Sequence, residues 1–350
     1  MIVPMLTART LTDGGQSAVE TAGRVATFLD GAQRSLDLAQ YDFHLLGESA
    51  ELVVGAITRA HARGVAVRML YNVDHHNPIP VPPPPEPDAQ LIASLGVPAK
   101  AVAGVPDLMH HKYVVRDRES VWTGSMNWTE DSFSRQENVI LEAASPELAA
   151  AFGRNFDELW DVGIVERSGV VEPLPVRVGE AEVHPWFTPG HGEDLSDRIA
   201  AAIMRARRRV RICSPVITAA PVLAGLAQVI SEGRLDVAGC VDLPQVRGVV
   251  HQWGENGNRS WKLPLLQRVM AGTFSGKHST PWRPEGSLHN FMHAKVTVAD
   301  DVVFAGSFNL SRSGERNAEN VLEIHDAGLA EQLARFVDEV RVRYPPVPAL

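Results

Sequence analysis

At 350 residues the chain is long enough for two ordinary domains, or for one large body built of two lobes. Its residues are 45% hydrophobic and 21% charged, the balance of a globular protein, and a formal charge of −9 excludes indiscriminate coating of nucleic acid while leaving room for a local basic groove. Cys213 and Cys240 are the only cysteines, which rules out a disulfide framework or a cysteine-rich zinc site; their apolar surroundings read as those of buried free thiols.

The first residues, MIVPMLTARTLTDGG, lack a basic stretch followed by an apolar one, and no apolar run reaches the ~20 residues of a membrane span. The expectation is a cytoplasmic protein with no transmembrane segment, which would meet a lipid from outside the bilayer. Apolar spacing predicts a helix over 17–34, alternation a strand over 35–43, then a helix over 48–63 stopped by Gly64 and a strand over 65–73. That order favours an α/β sheet with helices on its faces. Asp74, His75, His76 and the prolines after them read as an exposed polyproline-like loop, since adjacent side chains rarely converge on one metal ion. A short helix over 88–95, strands over 110–115 and 139–142, and a helix over 146–160 complete the first half.

The composition changes between Glu166 and Glu182, which divides the chain into lobes 1–170 and 171–350. The second lobe repeats the plan: helix 195–208, strand 210–217, helix 222–231, strand 235–241, strands 294–298 and 321–324, and helix 329–341. The stretch 242–290 is an insertion read as a long loop. Its Trp253, Arg259, Trp261 and Lys262 are candidate substrate contacts, able to hold a phosphate, stack a base or cap an apolar mouth. The run Arg205, Arg207, Arg208, Arg209 and Arg211 reads as a solvated helix end.

One motif occurs twice. His110, Lys112, Asp117, Gly124, Ser125 and Asn127 recur as His293, Lys295, Asp300, Gly306, Ser307 and Asn309, and each asparagine is followed ten residues later by a Glu-Asn pair, Glu137-Asn138 and Glu319-Asn320. On a strand, histidine and lysine two apart share a face. Closing the lobes about a pseudo-twofold axis would gather two histidines, two lysines and two asparagines around a tetrahedral phosphate. One histidine can attack phosphorus and the other protonate the leaving oxygen, with Glu137 and Glu319 as candidates to hold the far ring nitrogens. Gly124 and Gly306 would permit close backbone approach, and Ser125 and Ser307 would add hydroxyl donors.

HxKxxxxD followed by GSxN, in two copies, resembles the phospholipase D superfamily over most of the chain. The resemblance implies an α/β fold of two pseudo-symmetric lobes, each a mixed sheet flanked by helices, with the active site at their interface. It implies no metal or other cofactor, a covalent phosphohistidine resolved by water or an alcohol, and a structural role for Asp117 and Asp300. By the same analogy His110 is the nucleophile and His293 the acid/base, although the pseudo-symmetry leaves the reverse assignment open. The second copy departs by one residue between Asp300 and Gly306 and by the doubled Asp300-Asp301. The phrase TGSMNWTEDSFSRQEN is similar to bacterial nuclease-like and cardiolipin-hydrolase-like members, which dimerise to bring two motifs together, whereas this chain holds both and can work as a monomer. The leading expectation is a phospholipase D-type phosphodiesterase with peripheral membrane contact through Pro80–Pro85, Trp253 and Trp261. The alternatives are an endonuclease acting on DNA or RNA and a non-catalytic phosphate-binding module.

Overall fold

The computed structural model describes residues 3–74, 87–255, 261–281 and 289–350; His75, His76, Pro80–Pro85 and Arg259 lie outside them. The strands of the first half are β1 (Met5–Leu11), β2 (Ser35–Gln40), β3 (Phe43–His44), β4 (Ala66–Val73), β5 (Ala99–Ala103), β6 (Lys112–Arg116), β7 (Ser120–Gly124), β8 (Trp128–Thr129) and β9 (Asn138–Ala144). Its helices are α1 (Ala18–Asp30), α2 (Gly47–Ala62), α3 (Ala89–Ser94), α4 (Glu130–Ser134) and α5 (Pro146–Val162). The second half has strands β10 (Val176–Val178), β11 (Ala181–Phe187), β12 (Arg209–Cys213), β13 (Asp236–Asp242), β14 (Phe274–Lys277), β15 (Val296–Ala299), β16 (Val302–Gly306) and β17 (Asn320–His325). Its helices are α6 (Gly192–Arg205), α7 (Ala220–Glu232), α8 (Leu243–Glu255), α9 (Lys262–Met270), α10 (Arg312–Arg316) and α11 (Ala327–Arg341).

Two mixed sheets result, ordered β1-β9-β7-β6-β2-β4-β5 and β10-β11-β17-β16-β15-β12-β13-β14. Apart from β10 the second order repeats the first strand for strand. Alternation along the strands explains the layers. In the first motif strand Val114 joins Val25, Leu29, Val53 and Ile57 of α1 and α2 in an outer core, while Tyr113 and Val115 face the other way. That other side is shared by both lobes: Tyr113 and Val115, Phe152 and Phe156 of α5, Leu333 and Phe336 of α11, and Val298 and Val303 form one cluster. The second outer core sets Ile199, Leu223 and Leu226 against Val210, Ile212 and Val241. α5 and α11 are thus the filling between two sheets. Each starts on a side-chain cap, Ser145 accepting from the Leu148 amide and Asp326 from the Leu329 amide.

Several expectations need correction. The strand expected over 35–43 ends at Gln40, and the motif strands begin at Lys112 and Val296, after their histidines. Strands β1, β5, β7, β11 and β16 are additions to the sequence reading; β5, β7 and β16 are only five residues long and leave little alternation to read, whereas β11 alternates and begins in the stretch read as the boundary between lobes. The stretch 242–290 is not simply a loop, since it carries α8, α9 and β14. Trp253 is buried in the second outer core, and Trp261 and Lys262 meet it at the start of α9, with the Lys262 ammonium over both indoles at 5.6 and 5.4 Å. Among the described residues Trp253 thus serves the outer layer, while Trp261 remains half exposed at 48%. Arg211 does not point to solvent: it is buried and pairs with Asp236 and Asp338, while Arg208 and Arg209 pair with Asp301 and Glu331. Both cysteines are buried and free.

The motif aspartates brace the frame. Asp117 accepts from the backbone amides of Gln33, Arg34 and Ser35, and Asp300 from those of Arg207, Arg208 and Arg209, so each ties a strand turn to the start of the neighbouring strand. Gly124 and Gly306 sit where the chain crosses the strand bearing the next motif element. A Cβ on Gly124, whose φ is +146°, would fall 2.1 Å from the Val139 carbonyl oxygen, and one on Gly306 would fall 2.0 Å from that of Asn320. Gly124→Ala is expected to cost at least about 1–3 kcal/mol, the range for overpacking a tight site, and to lower the midpoint of thermal unfolding. An unchanged midpoint in calorimetry would show that this crossing can relax.

Candidate active site

Each motif histidine is delivered by a pinned backbone. The Met109 amide donates to Asn72 Oδ1 at 2.9 Å, and the Met292 amide to Asp242 Oδ2 at 3.2 Å, from equivalent positions near the ends of β4 and β13. The lysine two residues on then turns back, and Lys112 Nζ and Lys295 Nζ donate to the carbonyls of His110 and His293, both at 2.7 Å. All four side chains are buried.

The lobes hold each other's histidines. His110 Nδ1 lies 2.8 Å from Glu319 Oε2, and His293 Nδ1 lies 3.1 Å from Asn138 Oδ1. Asn138 is oriented by its amide nitrogen, which donates to Ser132, and its oxygen also accepts from Ser125 Oγ at 2.7 Å. His293 therefore carries its proton on Nδ1 and leaves Nε2 free. Lys112 acts electrostatically on Lys295, and both Lys112 and His110 act on His293, so the two half-sites share one field. Ser125 and Ser307 each accept from an amide of the adjacent strand (Val139 of β9 and Asn320 of β17, both 3.0 Å) and fasten the Gly-Ser turn to it. Asn127 Oδ1 and Asn309 Oδ1, at matching places, are buried without a hydrogen-bond partner among the described residues.

The two halves are not equivalent, which corrects the expectation for Glu137. Glu319 holds a histidine; Glu137 does not. Glu137 Oε2 takes Lys277 Nζ at 2.7 Å, its other oxygen takes the Tyr344 hydroxyl, and Asp13 lies 3.3 Å from the same lysine. The reason is register. Where the lobes meet, Met109 bridges Ala318, the residue before Glu319, whereas Met292 bridges Glu137 itself. One step further along, His110 meets Glu319 and His293 meets Asn138. The sequence pattern marked the Glu-Asn pairs but not which member would reach the ring. Nothing in the pattern singles out Tyr344 or Asp13, near the two ends of the chain, or sets Lys277 apart from the other cations of the insertion; His111 has its Nδ1 3.3 Å from Asn320 Oδ1.

Burial dominates the electrostatics. It pushes the Lys112 ammonium down to about 7 despite Glu319 and Asp42, and pushes Glu319 up to about 7 despite Lys112. Lys295 is driven well below the ordinary lysine value by burial and by Lys112; His293 falls well below its own by burial and by the lysines beside it. Burial disfavours the charged form of both lysines and Lys112 further disfavours that of Lys295, and a bound anion would relieve both effects.

A duplicated α/β protein that closes paired histidines, lysines and asparagines over one desolvated cationic spot defines a class, that of the two-motif phosphate-ester proteins. The family model described as cardiolipin synthase, PLD-like domain, matches the chain twice, over residues 25–160 and 199–341. The chain belongs to the phospholipase D superfamily. It is 31% identical over 140 residues to the mitochondrial cardiolipin hydrolase of Xenopus laevis, covering 39% of this chain and 60% of that protein. With the human mitochondrial cardiolipin hydrolase it shares 28% over 147 residues, 42% of this chain and 52% of that one. The chain thus spans between half and two thirds of the length of these relatives. Among solved structures, phosphatidylserine synthase from Haemophilus influenzae Rd KW20 has the same fold, with a TM-score of 0.65 at 14% identity over 98% of this chain and 87% of that one.

Two outcomes follow from the buried cations. Lys112 is cationic below about 7 and neutral above it, and Glu319 gains its negative charge over the same range, so both changes weaken anion binding as pH rises. Sulfate, a monomeric dianion throughout, is expected to bind several-fold more tightly at pH 6.5 than at pH 8.5 by calorimetry; equal affinities would place the titration elsewhere. Lys295→Met removes an amine whose charged form burial and Lys112 both disfavour in the free protein. It is expected to lower turnover roughly 10²–10³-fold, with an unfolding midpoint equal to or above that of the parent.

Proposed function

We propose that the chain is a phosphodiesterase that hydrolyses a phosphodiester, or transfers it to an alcohol, through a phosphohistidine on His110. The observation that carries the assignment is the unequal support of the two rings: a carboxylate behind His110 and an amide behind His293. Imidazole phosphorylated on Nε2 keeps its Nδ1 proton and is a cation, and Glu319 stands where it neutralises that charge. Asn138 orients His293 without stabilising its charged form, which suits a ring that must give its proton away.

Lys112 and Lys295 take the phosphodiester oxygens, and the anion offsets the cations that hold His293 neutral in the free protein, so that Nε2 of this ring takes up a proton from solvent as the substrate binds. His110 Nε2 then bonds to phosphorus, the ester P–O bond breaks, and the leaving oxygen receives the proton of His293. In the second half His293 removes a proton from water or an alcohol, whose oxygen bonds to phosphorus as the P–N bond breaks.

A phospholipid is the substrate class we favour, on the likeness to cardiolipin hydrolases. The arginine run that could have tracked a nucleic-acid backbone is largely tied up in ion pairs with Asp236, Asp301, Glu331 and Asp338. Cardiolipin vesicles and single- and double-stranded DNA, each with chelator present, test this directly: lipid cleavage is expected, and cleavage of DNA alone would move the assignment to a nuclease.

The histidine roles have their own test. With an aryl phosphodiester, whose leaving group needs no proton, His293→Ala is expected to release one equivalent of phenol rapidly and then stall with acid-labile phosphate on the protein. His110→Ala should give no burst; the opposite pattern would exchange the two roles. Glu319→Gln is expected to lower turnover by about 10²–10⁴-fold, as for other carboxylate-supported histidines, without loss of fold by circular dichroism.

A further inference from the structure

The edge of the second sheet carries a pattern that the phosphate site does not use. Strand β11 contains Glu182-Val183-His184 and its neighbour β17 contains Glu323-Ile324-His325. The strands run antiparallel in a register that sets Glu182 opposite His325 and His184 opposite Glu323. Residues two apart share a face, so the two Glu-x-His pairs form a square on one side of the ladder. Within it, one ligand atom each of Glu182, His184 and His325 lie within 4.8 Å of one another, the one such group among the described residues.

The partners of these rings are those of metal ligands. His184 Nδ1 lies 3.2 Å from the Pro173 carbonyl, which can only accept, so this nitrogen carries a proton. In the neutral ring Nε2 then points a lone pair at Glu182 Oε1, 3.1 Å away. Two lone pairs face each other, an arrangement that a cation between them relieves. His325 Nε2 donates to Glu323 Oε1 at 2.8 Å, which leaves Nδ1 as its free nitrogen. Glu323 is buried and fixed by Arg198, at 2.6–3.0 Å, and by the Trp186 indole at 3.1 Å, so it serves as a support for His325 and not as a ligand. A ring nitrogen held by a carboxylate or backbone carbonyl leaves the other nitrogen available to a metal, the outer-sphere arrangement of histidine metal sites.

We propose that Glu182, His184 and His325 bind one zinc-like divalent transition-metal ion, with water in the remaining position. Ligands about 2.0–2.2 Å from a tetrahedral zinc stand roughly 3.3–3.6 Å apart, so the site forms by side-chain movements of about 1 Å. The ion is structural. Beyond Phe187 the β11 strand leads to Thr188, whose hydroxyl accepts from the Glu319 amide at 3.1 Å and whose own amide donates to the Glu319 carbonyl at 3.0 Å. The metal would clamp one end of the ladder that presents Glu319 at the other.

The test uses the full chain, stripped with chelator and dialysed against zinc chloride at neutral pH. The parent is expected to take up one more equivalent of zinc than the His184→Ala/His325→Ala variant, and to show the visible absorption of a low-coordinate site with cobalt(II). Glu182→Gln, at an exposed position, should weaken this equivalent roughly tenfold or more while leaving the metal-free unfolding midpoint unchanged. Zinc should raise the midpoint of the parent and not of the double variant. Equal zinc uptake by both chains would overturn the proposal, because the metal would then sit on other histidines. So would no uptake by the parent, which would leave His184 and Glu182 as an ordinary ion pair.

Discussion

The lobes hook together through two short parallel bridges, and the chemistry depends on their register. Met109 against Ala318 and Met292 against Glu137 are not the same pairing, since the second is advanced by one residue relative to its Glu-Asn pair. A one-residue shift exchanges which side chain faces a given point. Here it exchanges a carboxylate for an amide behind one histidine. Two copies of a motif that look interchangeable in the sequence thereby acquire different electrostatic surroundings without a change in any motif residue.

The same closure sets the cost of the site. Lys112, Lys295, His110, His293 and Glu319 are all buried, and the shifts of Lys112, Lys295, His293 and Glu319 are governed first by desolvation. The free protein tolerates this because the surrounding frame is over-determined. Three amides converge on each of Asp117 and Asp300, each Gly-Ser turn is bonded to the strand it crosses, and α5 and α11 fill the space between the sheets. A bound phosphodiester would add a countercharge to this preformed site without requiring the frame to reorganise.

Much of this was legible beforehand, for identifiable reasons. The duplicated spacing of His110, Lys112 and Asp117 with His293, Lys295 and Asp300 survives in three dimensions because it reflects a repeated strand–turn–strand, and the repeated sheet order bears out the two-lobed α/β expectation. Gly124 and Gly306 were readable because only a missing Cβ allows such an approach. The insertion was not readable. Its tryptophans and lysine suggest a binding surface in one dimension, yet Trp253 is needed to fill the outer core beside α9, and Lys277, one of several cations in the stretch, is the one buried against Glu137. Which aromatic packs and which binds is decided by tertiary neighbours, not by composition.

Lys277 also gives the asymmetry a physical basis beyond register. A buried Glu137 without a cation would be a second uncompensated carboxylate, one residue from the Asn138 that holds His293. Lys277 and Tyr344 occupy both of its oxygens, and Asp13 joins the same lysine, so the charge of Glu137 is spent within its own cluster. What remains beside His293 is the neutral Asn138. The proposed two-step reaction would need one ring that tolerates a positive charge while bonded to phosphorus and another that readily sheds it. A symmetric pair of carboxylates would serve the first need twice and the second not at all. The insertion that looked like a substrate loop therefore contributes to the site from behind, by removing a charge from one side of it.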